Sequence, residues 1–514
     1  MKSISNALFT SLIASGLLLT GCSGGDSSGG GSIGTVKWVE GEFPPYTQLA
    51  NQCDAGLKEK LWLRSWSNDT YLWYSEIIDR DPAPYQVLEY FKLLKTENLS
   101  ATGNPKDQFH FSMPTSEWEQ LNQSGVSVGY GMTVYVQQAS ETADRKITVA
   151  YTEPNSQATS ANIARGAVIV SIDGVSVKDA NDTDSINTLN NGLFPNDDGQ
   201  ETRFTILDLD ASQTRDVVLT AQAVVSTPVQ NTKVLSTPTG NIGYFQFNSH
   251  IATAERGLFD AIATLANAKV DDLVLDLRYN GGGLLAMASQ LGYMIAGQQA
   301  TQDRIFESVS FNDKYPTKNP VTGETLTPRP FYNETLGFNP SLLGSGKSLP
   351  SLNLSRVFVL TTDRTCSASE SLINSLRGID VEVIQIGGTT CGKPYGFYPT
   401  PNCGTTYFSI QFKGENDKGY GDYTDGFVPS SNPTLQSEVP GCDVADDFNH
   451  ALGDQEESQL AAALYYRDNN SCPAQVAKAS RTQAKPQFVD AGYVLQDTRN
   501  QNLLFNNRIL TQPK

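Results

Sequence analysis

The sequence predicts a multidomain α/β protein, and three observations predict it. The chain has 514 residues, more than one hydrophobic core of about 250–300 residues accommodates. Apolar residues recur at helical spacing early in the chain. From Gly240 onward, short apolar runs alternate with amphipathic stretches, the pattern of a layered α/β core.

The first element is helical. In residues 57–95, Leu57, Leu61, Trp62, Trp66, Tyr71, Leu72 and Trp73 recur at three- and four-residue steps. After Asp81-Pro82-Ala83-Pro84, a second stretch places Val87, Leu88, Phe91 and Leu94 similarly. Such an aromatic stripe reads as core rather than as a ligand groove. From Val126 the texture changes to short alternations, 132–136 and 146–150, which predict strands. Beyond Gly240, strands are expected at 242–247, 273–277, 357–361 and 381–386. Helices are expected at 255–268, 284–296 and 367–376. Residues 300–352 are rich in Pro, Asn, Gly and Thr and predict an insertion loop.

The start of the chain reads as a secretory leader. Met1-Lys2 precedes an uncharged apolar stretch over 7–19, and then comes Leu19-Thr20-Gly21-Cys22. The stretch is too short for a comfortable membrane span. The tetrapeptide resembles the bacterial lipobox, which implies that Cys22 is lipidated and becomes the mature N-terminus. The following Gly/Ser run reads as a flexible tether. Ser23 stands where an aspartate would imply inner-membrane retention. In a Gram-negative source this points to the outer membrane, facing the periplasm or the cell surface.

The chain carries 37 basic and 55 acidic residues, a net charge of −18. Losing Lys2 with the leader makes that −19. An acidic chain without basic clusters is a poor partner for nucleic acid. Only three histidines are present, and no Cys-x-x-Cys occurs, so neither a structural metal nor a cofactor is expected. Cys22 aside, six cysteines remain in a compartment that permits disulfides.

The chemistry concentrates in two segments. Thr365-Cys366-Ser367-Ala368-Ser369-Glu370 follows an expected buried strand, and Gly387-Gly388-Thr389-Thr390-Cys391-Gly392-Lys393 follows the next. A serine hydroxyl needs a base, and a strand-to-helix turn exposes it where the helix N-terminus favours a developing oxyanion. A lysine serves as that base if burial lowers its pKa. Tyr395 and Phe397 are the expected apolar neighbours. Four rival readings carry less weight. Ser369 lies two helical positions on, turned roughly 200° away. Cys366 in an exported protein is more often bridged. The glycine triplet 281–283 lacks the lysine and spacing of a phosphate loop. His250 is expected as a core or rim residue.

Together with Asp276-Leu277-Arg278-Tyr279-Asn280-Gly281-Gly282-Gly283, these motifs resemble the C-terminal processing peptidases, or tail-specific proteases. The resemblance implies Ser367 as nucleophile, Lys393 as general base, and oxyanion N–H groups from Gly281, Gly282 and Ala368. The chain departs from the pattern in four ways. The gap from Ser367 to Lys393 is slightly long, Pro394 follows the lysine, Phe397 replaces a glutamine, and an aspartate found in some members has Asp380 as its nearest candidate. A further run, from Arg165-Gly166-Ala167-Val168-Ile169 through Asp173-Gly174-Val175, resembles a PDZ domain over residues 122–228. That resemblance places a peptide-carboxylate loop at Gly129, Tyr130, Gly131 and Met132, where backbone N–H groups capture a chain end and the peptide adds as a strand.

The expected organisation is a leader (1–21), a tether (22–35), an N-terminal helical region (36–121), a PDZ-like β-rich domain (122–228), a layered α/β serine protease core (229–450) and a C-terminal helical segment and tail (451–514). The expected function is an exported serine endopeptidase with a Ser–Lys dyad, cleaving polypeptides captured by their unstructured C-termini. The alternative is an inactive protease-like lipoprotein that binds peptides or an apolar ligand. Expected disulfides pair Cys391 with Cys403, Cys442 with Cys472, and Cys53 with Cys366.

Overall fold

The computed structural model describes residues 37–53, 56–100, 103–137, 144–195 and 197–474, and the backbone of 507–509. The expected leader, Cys22 and the tether lie outside the described residues.

The larger, α/β half is built on a seven-stranded sheet. Its order is Val229–Thr237, Gly240–Phe247, Asp272–Asp276, Arg356–Thr361, Glu382–Gly387, Glu438–Cys442 and Val428–Ser430. The first pair is antiparallel and the rest are parallel. Parallel strands need covered faces, so their sequences read as continuous apolar runs. Alternate residues serve opposite faces. Leu273, Leu275, Val357, Val359 and Val383 join one buried cluster with Leu258, Leu291 and Leu372 from the helices Ala254–Asn267, Leu285–Thr301 and Ala368–Gly378. Val274, Phe358, Leu360, Ile384 and Ile386 face the other way, against Leu460 and Ala463 of the helix Ser458–Asn469. The late helix is therefore the cover of the second face.

Residues 126–225 form a β-rich unit. Met132–Gln137, Lys146–Thr152, Val168–Ile172, Glu201–Leu207 and Arg215–Thr220 make one sheet, with Met132–Gln137 at its edge and Val175–Ser176 paired to Val168–Ile172. Ile147, Val149, Ile169, Phe204, Ile206 and Leu219 fill its core. Arg165 ties this unit to the α/β half, donating to Asp446 at 2.6 Å and to the Tyr279 hydroxyl at 2.6 Å.

The N-terminal helices Leu57–Thr70 and Val87–Leu93 pack on the α/β half through Tyr407. Most of the stripe is core, as expected, although Leu88 is exposed: Trp62 and Trp66 stack at 5.3 Å, with Tyr407 against both. Phe111–Pro114 pairs with Thr405–Phe408.

Three expectations need correction. The 300–352 segment is not only a loop, because Ile305–Ser310 is a strand that pairs with Phe412–Glu415 and buries Phe306. Cys391 pairs with Cys366 rather than Cys403, and Cys53 pairs with Cys403 rather than Cys366. The cause is the parallel sheet. Thr361 lies opposite Gly387 at the ends of neighbouring strands, so the loops that follow them meet. Cys442–Cys472 is found as expected.

Candidate active site

Ser367 sits between the strand Arg356–Thr361 and the helix Ala368–Gly378. Its φ of 60° with ψ of −111° is a conformation that costs a non-glycine residue roughly 1–3 kcal/mol. Three contacts hold the turn there. The Ser367 N–H donates to Glu370 Oε2 at 2.8 Å. The Cys366 N–H donates to the Asn280 carbonyl at 3.1 Å. The Cys366–Cys391 bridge joins the turn to the segment carrying Lys393. The Ser367 hydroxyl is buried.

Lys393 is fully buried. Its ammonium position lies 4.5 Å from the Phe397 ring and 4.8 Å from the Phe109 ring. Burial pushes its pKa well below the ordinary lysine value, against the opposing charges of Asp107 and Glu370. Tyr395 instead packs edge-on against Trp73. The backbone just before the lysine requires glycine: Gly392 has φ +86°, and a Cβ there would stand 2.3 Å from the Thr424 carbonyl.

Glu370 is the residue that sequence reasoning passed over. Its buried carboxylate accepts the N–H groups of Ser367, Lys393 and Gly392, each at 2.8 Å, and the Thr390 hydroxyl at 2.6 Å. Burial raises its pKa, and those same bonds oppose the rise. The signal was present, because Ser367-Ala-Ser-Glu370 has the capping-box spacing. Asn280 plays a second organising part. Its side-chain oxygen accepts from His250 Nδ1 at 3.0 Å and from the Gly282 N–H at 2.9 Å. Its carbonyl accepts from Cys366 and from the Ser369 hydroxyl.

The expected oxyanion residues are brought to this region, with one correction. The Gly282 N–H is spent on Asn280, so it is not available in this conformation. Ala368 opens the helix whose N-terminus faces the turn, and Gly281 lies between Asn280 and Gly282. Ser369 is turned onto Asn280, and Cys366 is bridged. His250 is buried, with its pKa pushed down to about 4 by burial. Asp380 stands at the far end of the helix, exposed and paired with Lys418, and does not reach Ser367. Gly129, Tyr130, Gly131 and Met132 lie in the β-rich unit. There the Tyr130 carbonyl accepts from Ala158 and the Gly131 carbonyl from Glu153. The edge strand beside them touches the α/β half: Arg364, just upstream of Ser367, donates to the Val134 carbonyl at 3.0 Å.

Residues 241–399 match Peptidase family S41. The chain carries an S41 peptidase domain. The matched span contains both Ser367 and Lys393, and the family makes the S41 domain that of a serine-type peptidase. A solved structure assigned as an S41 protease of Bacteroides fragilis NCTC 9343 has a TM-score of 0.57 at 21% identity. It covers 80% of this chain and 97% of that one, and shares the S41 fold. The photosystem II D1 C-terminal processing protease is similar at 19% identity and a TM-score of 0.44, over 78% of this chain and 96% of that one. No curated protein matches the chain.

Proposed function

We propose that the protein is an exported serine endopeptidase in which Ser367 is the nucleophile and Lys393 the general base. The observation that carries this reading is the full burial of Lys393, on a loop that shares the Glu370 carboxylate with the Ser367 turn. In the first step Ser367 Oγ attacks the scissile carbonyl carbon and Lys393 Nζ takes its proton. The oxyanion is met by the N–H of Ala368 at the helix N-terminus, with Gly281 as the second donor. The Lys393 ammonium then returns the proton to the leaving amine, and water, activated by the same amine, releases the acyl group.

The β-rich unit acts, in this reading, as a PDZ-like domain. Gly129 to Met132 hold the C-terminal carboxylate of an unstructured polypeptide, and the peptide adds along Met132–Gln137. Acylation of Cys22 anchors the enzyme to a membrane of the cell envelope. The test is hydrolysis of unfolded casein. Ser367→Ala should abolish it, and Ser369→Ala should keep a folded, at least partly active enzyme. Wild-type turnover in folded Ser367→Ala would overturn the assignment.

A further inference from the structure

We propose that the strand Asn507–Ile509 occupies the substrate groove of its own chain and holds the protease in an occluded state. This rests on the proposed peptidase reading and concerns the regulation of the same site. The strand pairs in parallel with Gly282–Leu284, in the register Gly282 to Asn507, Gly283 to Arg508 and Leu284 to Ile509. It also lies against the helix Ala368–Gly378, which Ser367 opens, and against Tyr395–Gly396, just beyond Lys393. Its neighbours are thus the oxyanion turn, the nucleophile helix and the segment following the base.

Why a strand should bind there follows from the glycines. Gly282 and Gly283 present bare backbone, and strand addition to such an edge is a recurring way to bind extended peptides. The opposite edge is already taken, since Gly283 bridges to His250 and a Cβ there would meet the His250 carbonyl at 2.4 Å. A peptide therefore has one edge to add to, and Asn507–Ile509 is on it. A second observation agrees. Ser367, Lys393 and Gly282–Leu284 are all buried, so a polypeptide substrate cannot touch the nucleophile until something leaves. Because the occupant belongs to the same chain, it competes at an effective concentration of up to about millimolar. A short strand with no covalent hold on the groove remains displaceable.

The test uses the full chain. Consecutive N–H groups of a strand point opposite ways, so the double substitution Arg508→Pro and Ile509→Pro removes the ladder donor whichever residue supplies it. The double variant should cleave unfolded casein with kcat/KM raised about tenfold or more, mainly through KM. A labelled peptide of residues 503–514 should bind the double variant carrying Ser367→Ala, and bind Ser367→Ala alone at least about tenfold more weakly. Equal peptide binding by the two chains, or unchanged casein kinetics in an active enzyme, would overturn the occlusion. If no chain cleaves casein but the binding difference holds, the occlusion stands and the peptidase reading fails.

Discussion

The backbone N–H groups of Ser367 and Lys393 donate to one and the same oxygen, Oε2 of Glu370, each at 2.8 Å. A single buried carboxylate therefore sets the spacing between the Ser367 turn and the Lys393 loop. Its other oxygen takes Gly392 and Thr390, which completes the clamp.

Glu370→Gln should leave a folded protein with kcat lowered by roughly 10²-fold, the scale of a misplacement near 1 Å. The amide has one acceptor oxygen where the carboxylate serves four donors. The charge also matters, because Glu370 favours the ammonium form of Lys393. Without it the amine deprotonates more readily, so the rise of activity with pH should move to lower pH. A pH–rate profile checks both parts. A purely structural role would lower activity and leave the limb in place.

The bridge between Cys366 and Cys391 should be found by non-reducing peptide mapping, together with Cys53–Cys403 and Cys442–Cys472. Replacing Cys366 and Cys391 together by alanine should cost roughly 3 kcal/mol of stability. It should also lower kcat more than it raises KM, because it frees the Ser367 turn and the Lys393 loop from each other. Thermal unfolding and steady-state kinetics separate the two effects.

Stability should fall in mild acid. Burial pushes His110 and His250 down to about 4, from an ordinary value of 6.5, although Asp107 opposes the shift at His110. Both are bases with depressed folded pKa values, so the unfolded chain binds protons first. Their contribution is whole above pH 6.5 and is lost as pH falls towards 4, by roughly 3 kcal/mol for each histidine. Urea midpoints measured across that range should decline. A flat profile would contradict the neutral burial of both rings.

Much of the catalytic core was legible because its physics is local. Strands buried on both faces must be apolar throughout, so 273–277 and 357–361 announced themselves, and the helices between them carried their own period. The serine and lysine stood out because each follows a strand end. What was not legible came from distance. Phe109, which lies over Lys393, arrives from the N-terminal region, and no periodicity links the two. Cys53 meets Cys403 across a separation of 350 residues. The Cys366–Cys391 pair follows only once the two strands are known to be parallel neighbours. Asn507–Ile509 left no pattern either, since three residues pairing with glycine backbone need no alternation.

In the proposed mechanism Lys393 gives up its proton to serve as the base. Arginine at that position keeps the charge and much of the bulk but cannot be deprotonated in this role. The decisive measurement is the rate of unfolded-casein cleavage by wild type, Lys393→Arg and His250→Ala, each shown to be folded. Lys393→Arg should be inactive, and His250→Ala should keep most of its activity. Activity that survives in Lys393→Arg and vanishes in His250→Ala would replace the lysine with the histidine.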